Sequence, residues 1–320
     1  MNTLRVIGWP SVGGRWSGAT RRLVGVILAL GLVFGARTAA AGVRVVATLP
    51  DLGAIAREVV GDAGTVTVLS FAAEDPHYVD PRPTLLVPLS RADLLIVNGM
   101  ELEVGWLPPM LVNARNPAIQ PGGPGYFDAS TAVARLEVPK GPVARSEGDV
   151  HAQGNPHYAY EPRSGAAVAM TLAARLARLD PANAQGYVAR ATVLKSALLA
   201  FATSERARFD AIPAARRTVV SYHQSLTYLE HWLGLTRLAT IEPLPGIPPS
   251  PKHVAAVLSL MKGSSAVVVQ EEYRPRATSE RLAQLTSCQL VIIPGGAREA
   301  ERYLDRLRRT TDALHAAMVE

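Results

Sequence analysis

Apolar and polar positions along this chain follow two alternating rhythms. Val43 to Leu49 is a β-rich run ended by Pro50-Asp51, and Leu52 to Val60 then carries apolar residues at helical spacing before Gly61-Asp62. Thr65 to Ser70 reads as a second strand, Thr84 to Arg91 as a short helix, and Leu94 to Val97 as a buried strand leading into Asn98-Gly99. Between Asn116 and Asn155 the chain is rich in Gly, Pro and charge, which predicts a loop with one strand near Arg135 to Val138. Ser164 to Leu179 is a strongly periodic helix. Asp180-Pro181 opens the next, which runs from Ala182 to about Phe209 with Tyr187, Leu194, Leu198 and Phe201 on one stripe. At about 1.5 Å per residue that helix is a rod roughly 40 Å long, suited to connect two lobes. Past Pro213 the rhythm resumes with strand Thr218 to Tyr222, helix Ser225 to Leu233 and a Pro-rich crossing from Glu242 to Pro251. Helix His253 to Lys262, strand Ala266 to Gln270, helix Ala277 to Leu285, strand Gln289 to Ile293 and helix Arg298 to Met318 follow. Strands alternating with helices predict an α/β fold of two lobes, each with a mainly parallel sheet flanked by helices and joined by the long helix. The expected boundaries are 42–180, 181–212 and 213–320.

The first 41 of the 320 residues break this rhythm. Arg21-Arg22 precede an apolar run from Leu23 to Phe34, and Gly35 to Ala41 supplies small residues around an A-x-A site, the pattern of a secretory signal cleaved after Ala41. The apolar run is about twelve residues, short of the roughly twenty that span a bilayer. Residues 1–41 hold five arginines and no acid, so their removal takes the formal charge from +6 to about +1. The basic balance therefore belongs to targeting, and nucleic acid is not an expected partner. Cys288 is the single cysteine; it forms no internal disulfide and reads as a core residue, and no cysteine follows the apolar run to accept a lipid. The expectation is a soluble monomer in the periplasm.

The candidate chemistry lies in histidines. In Glu74-Asp75-Pro76-His77-Tyr78-Val79-Asp80-Pro81-Arg82-Pro83 and in Asn155-Pro156-His157-Tyr158-Ala159-Tyr160-Glu161-Pro162, a proline precedes the His and a carboxylate-Pro pair follows. Fixed proline φ angles and restricted pre-proline residues hold each imidazole in place. Either loop alone is as readily a solvated histidine; the repetition, and a third His at the end of strand Thr218 to Tyr222, favour a site. In parallel sheets ligands gather beyond the carboxyl ends of the strands, where His77, Asn98-Gly99 and His223 all fall. Three imidazoles suit Zn²⁺, with Glu271 or Glu272 the expected fourth ligand and Glu74, Asp75 and Asp80 orienting the first ring. His151, His231, His253 and His315 read as solvated or packed residues. A zinc hydrolase with Glu271 or Glu272 as base is the competing class, weakened by the lack of an H-E-x-x-H pair.

These segments resemble the solute-binding proteins of zinc and manganese ABC importers, the ZnuA/TroA-like group. The resemblance is carried by Asp75-Pro76-His77, by Ser90-Arg91-Ala92-Asp93 through Asn98-Gly99-Met100-Glu101-Leu102-Glu103, and by Asn155-Pro156-His157. Ser221-Tyr222-His223-Gln224-Ser225 and Pro245-Gly246-Ile247-Pro248-Pro249-Ser250-Pro251 extend it along nearly the whole chain after residue 42. It implies a metal site in the interlobe cleft, delivery of the ion to an ABC permease at the inner membrane, and no catalysis. It also implies His77, His157 and His223 as ligands, with Zn²⁺ preferred because manganese-type members tend to have Glu at the third position; Mn²⁺ is the alternative. The family often places an Asp after the last strand, where this chain reads Pro294-Gly295-Gly296, so either Glu271, which matches a family glutamate after the preceding strand, or a water is expected to complete the tetrahedron. The long His- and acid-rich loop of many zinc-specific members is represented only by Glu147, Asp149 and His151.

Overall fold

Short runs of Val, Ile and Leu bounded by turn residues form strands that must be covered on both faces, and this requirement organises the molecule. The structure, a computed structural model, describes residues 42–141, 143, 148 and 150–320. Residues 1–41, where a signal segment is expected, and Glu147 and Asp149 lie outside them. Among the described residues no helix is long and apolar enough to cross a membrane.

The first sheet holds β1 (Val43–Ala47), β2 (Gly64–Val68), β3 (Leu94–Val97) and β4 (Tyr126–Asp128) in the order β2-β1-β3-β4. The second holds β5 (Thr218–Ser221), β6 (Thr236–Thr240), β7 (Val267–Glu271) and β8 (Leu290–Ile293) in the order β6-β5-β7-β8. All described pairings are parallel. The two sheets thus share one topology, and each reverses its winding direction at its first strand, which opens a crevice beyond the carboxyl ends of β1 and β3 and of β5 and β7.

The helices are α1 (Pro50–Val60), α2 (Leu86–Arg91), α3 (Leu107–Ala114), α4 (Pro162–Leu179), α5 (Ala184–Asp210), α6 (Thr227–Leu233), α7 (Pro251–Met261), α8 (Ala277–Thr286) and α9 (Tyr303–Val319). The 27-residue α5 lies against α4 and leads from the first sheet to the second. Its buried stripe includes Tyr187, Leu194, Leu198 and Phe201, as the periodicity predicts.

One core runs through both lobes. It joins Val45 and Ile96 of the first sheet, Leu172 of α4, Leu194 of α5, Val219 and Val267 of the second sheet and Leu307 of α9. Two smaller cores cover the outer faces, one around Leu95 and Trp106 and one around Val220 and Val268.

Four elements depart from the sequence reading or were not placed by it. The strand in the Gly- and Pro-rich segment is Tyr126–Asp128, and Arg135 to Val138 is irregular. Helix α3, which the sequence reading does not place, begins at Leu107 with Pro108 and Pro109 in its first turn, where a missing N–H costs nothing. Strand β6 is a half-exposed edge whose residues Thr-Arg-Leu-Ala-Thr show no apolar run. The last helix starts at Tyr303, five residues later than its apolar period suggests.

Candidate metal site

Each histidine is fixed by its own loop before any ion is considered. His77 follows β2 on a loop pinned by Glu74, whose carboxylate accepts from Phe71 N at 3.1 Å and Asp80 N at 3.3 Å. Trp106 Nε1 donates to Pro76 O at 3.0 Å, and Asp75 Oδ1 meets both His77 N at 3.1 Å and His77 Nδ1 at 2.8 Å. Asp75 therefore orients the ring, as the sequence suggests; Glu74 staples the loop and Asp80 is exposed. Burial raises the Asp75 carboxyl, but the bond and charge of His77 and the nearby Arg274 outweigh it and bring it down to about 2.

His157 is held from both lobes. Asn155 Oδ1 accepts from His157 N at 3.0 Å, while Asn155 Nδ2 donates to Gln224 O at 2.7 Å, the residue after His223. On the other side Asn98 Nδ2 donates to Pro156 O at 3.0 Å and Tyr158 OH to Asn98 O at 2.8 Å. The Asn98-Gly99 turn is itself built on buried Glu103, whose carboxylate accepts from Thr48 Oγ1 and Asn98 N, both at 2.6 Å, and from Gly99 N at 3.2 Å. Burial pushes the Glu103 carboxyl up against the pull of these bonds.

His223 leaves the end of β5, and its Nδ1 faces Glu242 Oε2 at 2.7 Å. Glu242 follows β6. Burial lowers the His223 pKa although Glu242 opposes it, and it lowers that of His157 far below the usual imidazole value, aided by the neighbouring histidines.

The three rings form a nearly equilateral triangle, with centroid separations of 5.2 Å (His77–His157), 5.4 Å (His77–His223) and 5.3 Å (His157–His223). One nitrogen of each lies within 4.8 Å of the others, and all three residues are buried. Because the Nδ1 atoms of His77 and His223 face carboxylates, their Nε2 atoms carry lone pairs. His157 Nε2 is buried with no hydrogen-bond partner. A buried lone pair without a donor is costly. A cation at the centre removes that cost for His157 and meets a lone pair from each of the other two rings, so the donor set fits a divalent metal as cargo.

Glu271, expected to close the site, is not in the three-histidine group. Its carboxylate accepts from Ser225 Oγ and lies 3.9 Å from Arg274 Nε. Glu272 is half-buried at the end of β7. Two further residues belong to the site that the sequence reading did not identify, Glu242 and Arg274. Arg274 Nη1 is 2.9 Å from Asp75 Oδ2 and 3.6 Å from Glu242 Oε1, so one guanidinium links the carboxylates behind His77 and His223. His151 is also not the idle surface residue expected: it is partly buried and its Nε2 lies 3.4 Å from His77 Nε2. His253 Nε2 bonds Thr240 O at 3.0 Å and His315 packs on Phe209, away from the cluster.

Comparison with known proteins agrees with this architecture. The solved structure of ZnuA superposes with a TM-score of 0.72 at 21% identity, covering 87% of this chain and 99% of that one, which speaks to the fold. The manganese ABC transporter substrate-binding lipoprotein PsaA of Streptococcus mitis is 26% identical over 215 residues, 66% of each chain. The iron-binding protein YfeA of Yersinia pestis is 25% identical over 219 residues, 67% of this chain and 65% of that one. The chain spans between 57% and 68% of the length of the most similar curated relatives. The family described as ZnuA, zinc-uptake complex component A, periplasmic, whose members are substrate-binding transport proteins and not enzymes, matches residues 45–317, and the chain belongs to it.

Proposed function

We propose that this protein captures a divalent transition-metal cation, Zn²⁺ in the first instance, between its two lobes and delivers it to an ABC-type permease. The ligands in this reading are His77, His157 and His223. The signal segment 1–41 would direct the chain to the periplasm and be removed there. The observation that carries the reading is the convergence of three buried imidazoles, one with an orphaned nitrogen.

Charge supports a divalent ion. Asp75, Glu242 and Glu271 against the single Arg274 give the surroundings a formal charge of −2, which a 2+ ion matches. Neutral nitrogen donors support zinc over manganese, since Mn²⁺ stands at the weak end of the affinity series and favours oxygen. The names of PsaA and YfeA favour the second reading, a manganese- or iron-type receptor. As placed, Glu271 holds Ser225 through Oε1 and lies near Arg274 through Oε2, behind the histidines, and in this reading it becomes a ligand through Oε2.

The test is metal analysis of protein purified from periplasm, followed by zinc and manganese competition titrations. Zinc should be retained in preference. His77→Ala, His157→Ala and His223→Ala should each weaken zinc by more than about 100-fold, the upper end of what losing an outer partner costs. Equal or stronger retention of manganese overturns the zinc assignment, and unchanged affinity in all three variants removes the site.

A further inference from the structure

The His77–His151 contact has a geometry that an ordinary loop histidine does not require. The two Nε2 atoms are 3.4 Å apart and the rings stack with centroids 5.5 Å apart. His77 Nδ1 faces Asp75 Oδ1, so a neutral His77 carries its proton there and a lone pair at Nε2. Without an ion, His151 meets that lone pair as a donor, its proton on Nε2. In its other tautomer His151 presents a second lone pair, and the two nitrogens then face a cation between them. Nitrogens about 2.0–2.1 Å from a tetrahedral ion are themselves about 3.3 Å apart, close to the separation seen here.

The segment that carries His151 is built into place. Ala152 N donates to Glu101 Oε2 at 3.2 Å, Gly154 N to His151 O at 3.2 Å, and Asn155 N to Leu136 O at 2.9 Å. Met100 and Glu101, which receive this segment, both have left-handed φ values, +51° and +64°, that non-glycine residues adopt only when their surroundings impose them. His151 also lines the cavity into which His157 and His223 open. Meanwhile the carboxylate expected at the fourth position, Glu271, is engaged with Ser225.

We infer that His151 is the fourth ligand of the captured ion, completing an all-imidazole site whose last member arrives on the loop before His157. This rests on the three-histidine reading above. His151 stands outside the three-histidine group in this structure, so as a ligand its ring moves from its contact with His77 toward the ion held by the triangle. Four neutral nitrogen donors would also set the preference for zinc without a carboxylate ligand.

The experiment is X-ray absorption on the zinc-loaded full chain from periplasm, paired with chelator-competition affinities for the wild type, His151→Ala and His151→Asn. Thermal melts would establish that both variants fold. The expected result is four imidazoles around zinc in the wild type, three in either variant, and at least tenfold weaker binding, about 1.4 kcal/mol. Three imidazoles and an oxygen ligand in the wild type, with unchanged affinity in both variants, would overturn the inference and leave the three-histidine site standing. No zinc bound to the wild type would overturn both.

Discussion

At the scale of single residues, the same burial that readies the histidines for a metal makes the metal-free protein sensitive to acid. Burial first, and neighbouring positive groups second, depress His157 far below 6.5, bring His151 down to about 3 and lower His223. Below about 6.5 the unfolded chain therefore takes up protons that the folded chain refuses, and stability falls as pH falls. Asp75, held down to about 2, adds its own loss only below its ordinary value of 3.8. Asp51, Glu103 and Glu230, whose carboxyls burial pushes up, act in the opposite direction. The histidine contribution is isolated by comparing variants: His157→Asn should lose less thermal stability than the wild type between pH 7 and pH 5, both measured without metal. Parallel pH profiles would show that His157 does not refuse its proton. The three histidines were legible because prolines and strand ends mark them locally. Glu242 and Arg274 were not, because what makes them part of the site is the packing of two other strand ends against His223 and Asp75. His151 was misread for a similar reason, since its partner lies 74 positions away in the chain.

At the scale of elements, the turn after β3 shows how a backbone device sets the position of a side chain that it does not contain. Gly99 has φ +82°, and a Cβ there would run into the Asp128 carboxylate and the Ser130 hydroxyl. That carboxylate cannot readily yield, because Ser130 N and Ser130 Oγ hold it at 2.9 Å and 2.7 Å. Gly99→Ala should therefore destabilise the protein by about 1–3 kcal/mol. Because Asn98 carries the Pro156 carbonyl, the same change should weaken metal binding although residue 99 touches no ligand. A thermal shift with unchanged metal affinity would show that the turn supports the fold without positioning His157. Elements with a strong apolar period were legible in the sequence; the short and edge elements were not. Strand β4 is three residues long, β6 is half-exposed on an edge, and α3 is eight residues long with two prolines in its first turn. In each case tertiary pairing supplies what local composition does not.

At the scale of the whole molecule, the lobes are joined by more than the long helix, and this bears on how an ion enters. Ala297 N donates to Asp51 Oδ1 at 2.8 Å, Tyr303 OH to Ala159 O at 2.8 Å, and Tyr228 OH to Asn155 O at 3.0 Å. Arg306, fully buried, lies 3.6 Å from Asp51 and stacks over Tyr160 with its guanidinium 4.0 Å from the ring centroid. Separating the lobes would break these bonds and divide a core that runs through both sheets, exposing its apolar surface to water. Hinge opening of the kind that swings two domains apart is therefore disfavoured, and access to the histidines falls to the loops at the strand ends, including residues 150–154. Small-angle scattering of metal-free and zinc-loaded protein should give superimposable profiles, while hydrogen exchange on addition of zinc should slow in the loops around His77, His151 and His157 and hardly change in α5. A clear compaction on zinc binding would show that the lobes do move as rigid bodies, and that the interlobe bonds form only in the loaded state.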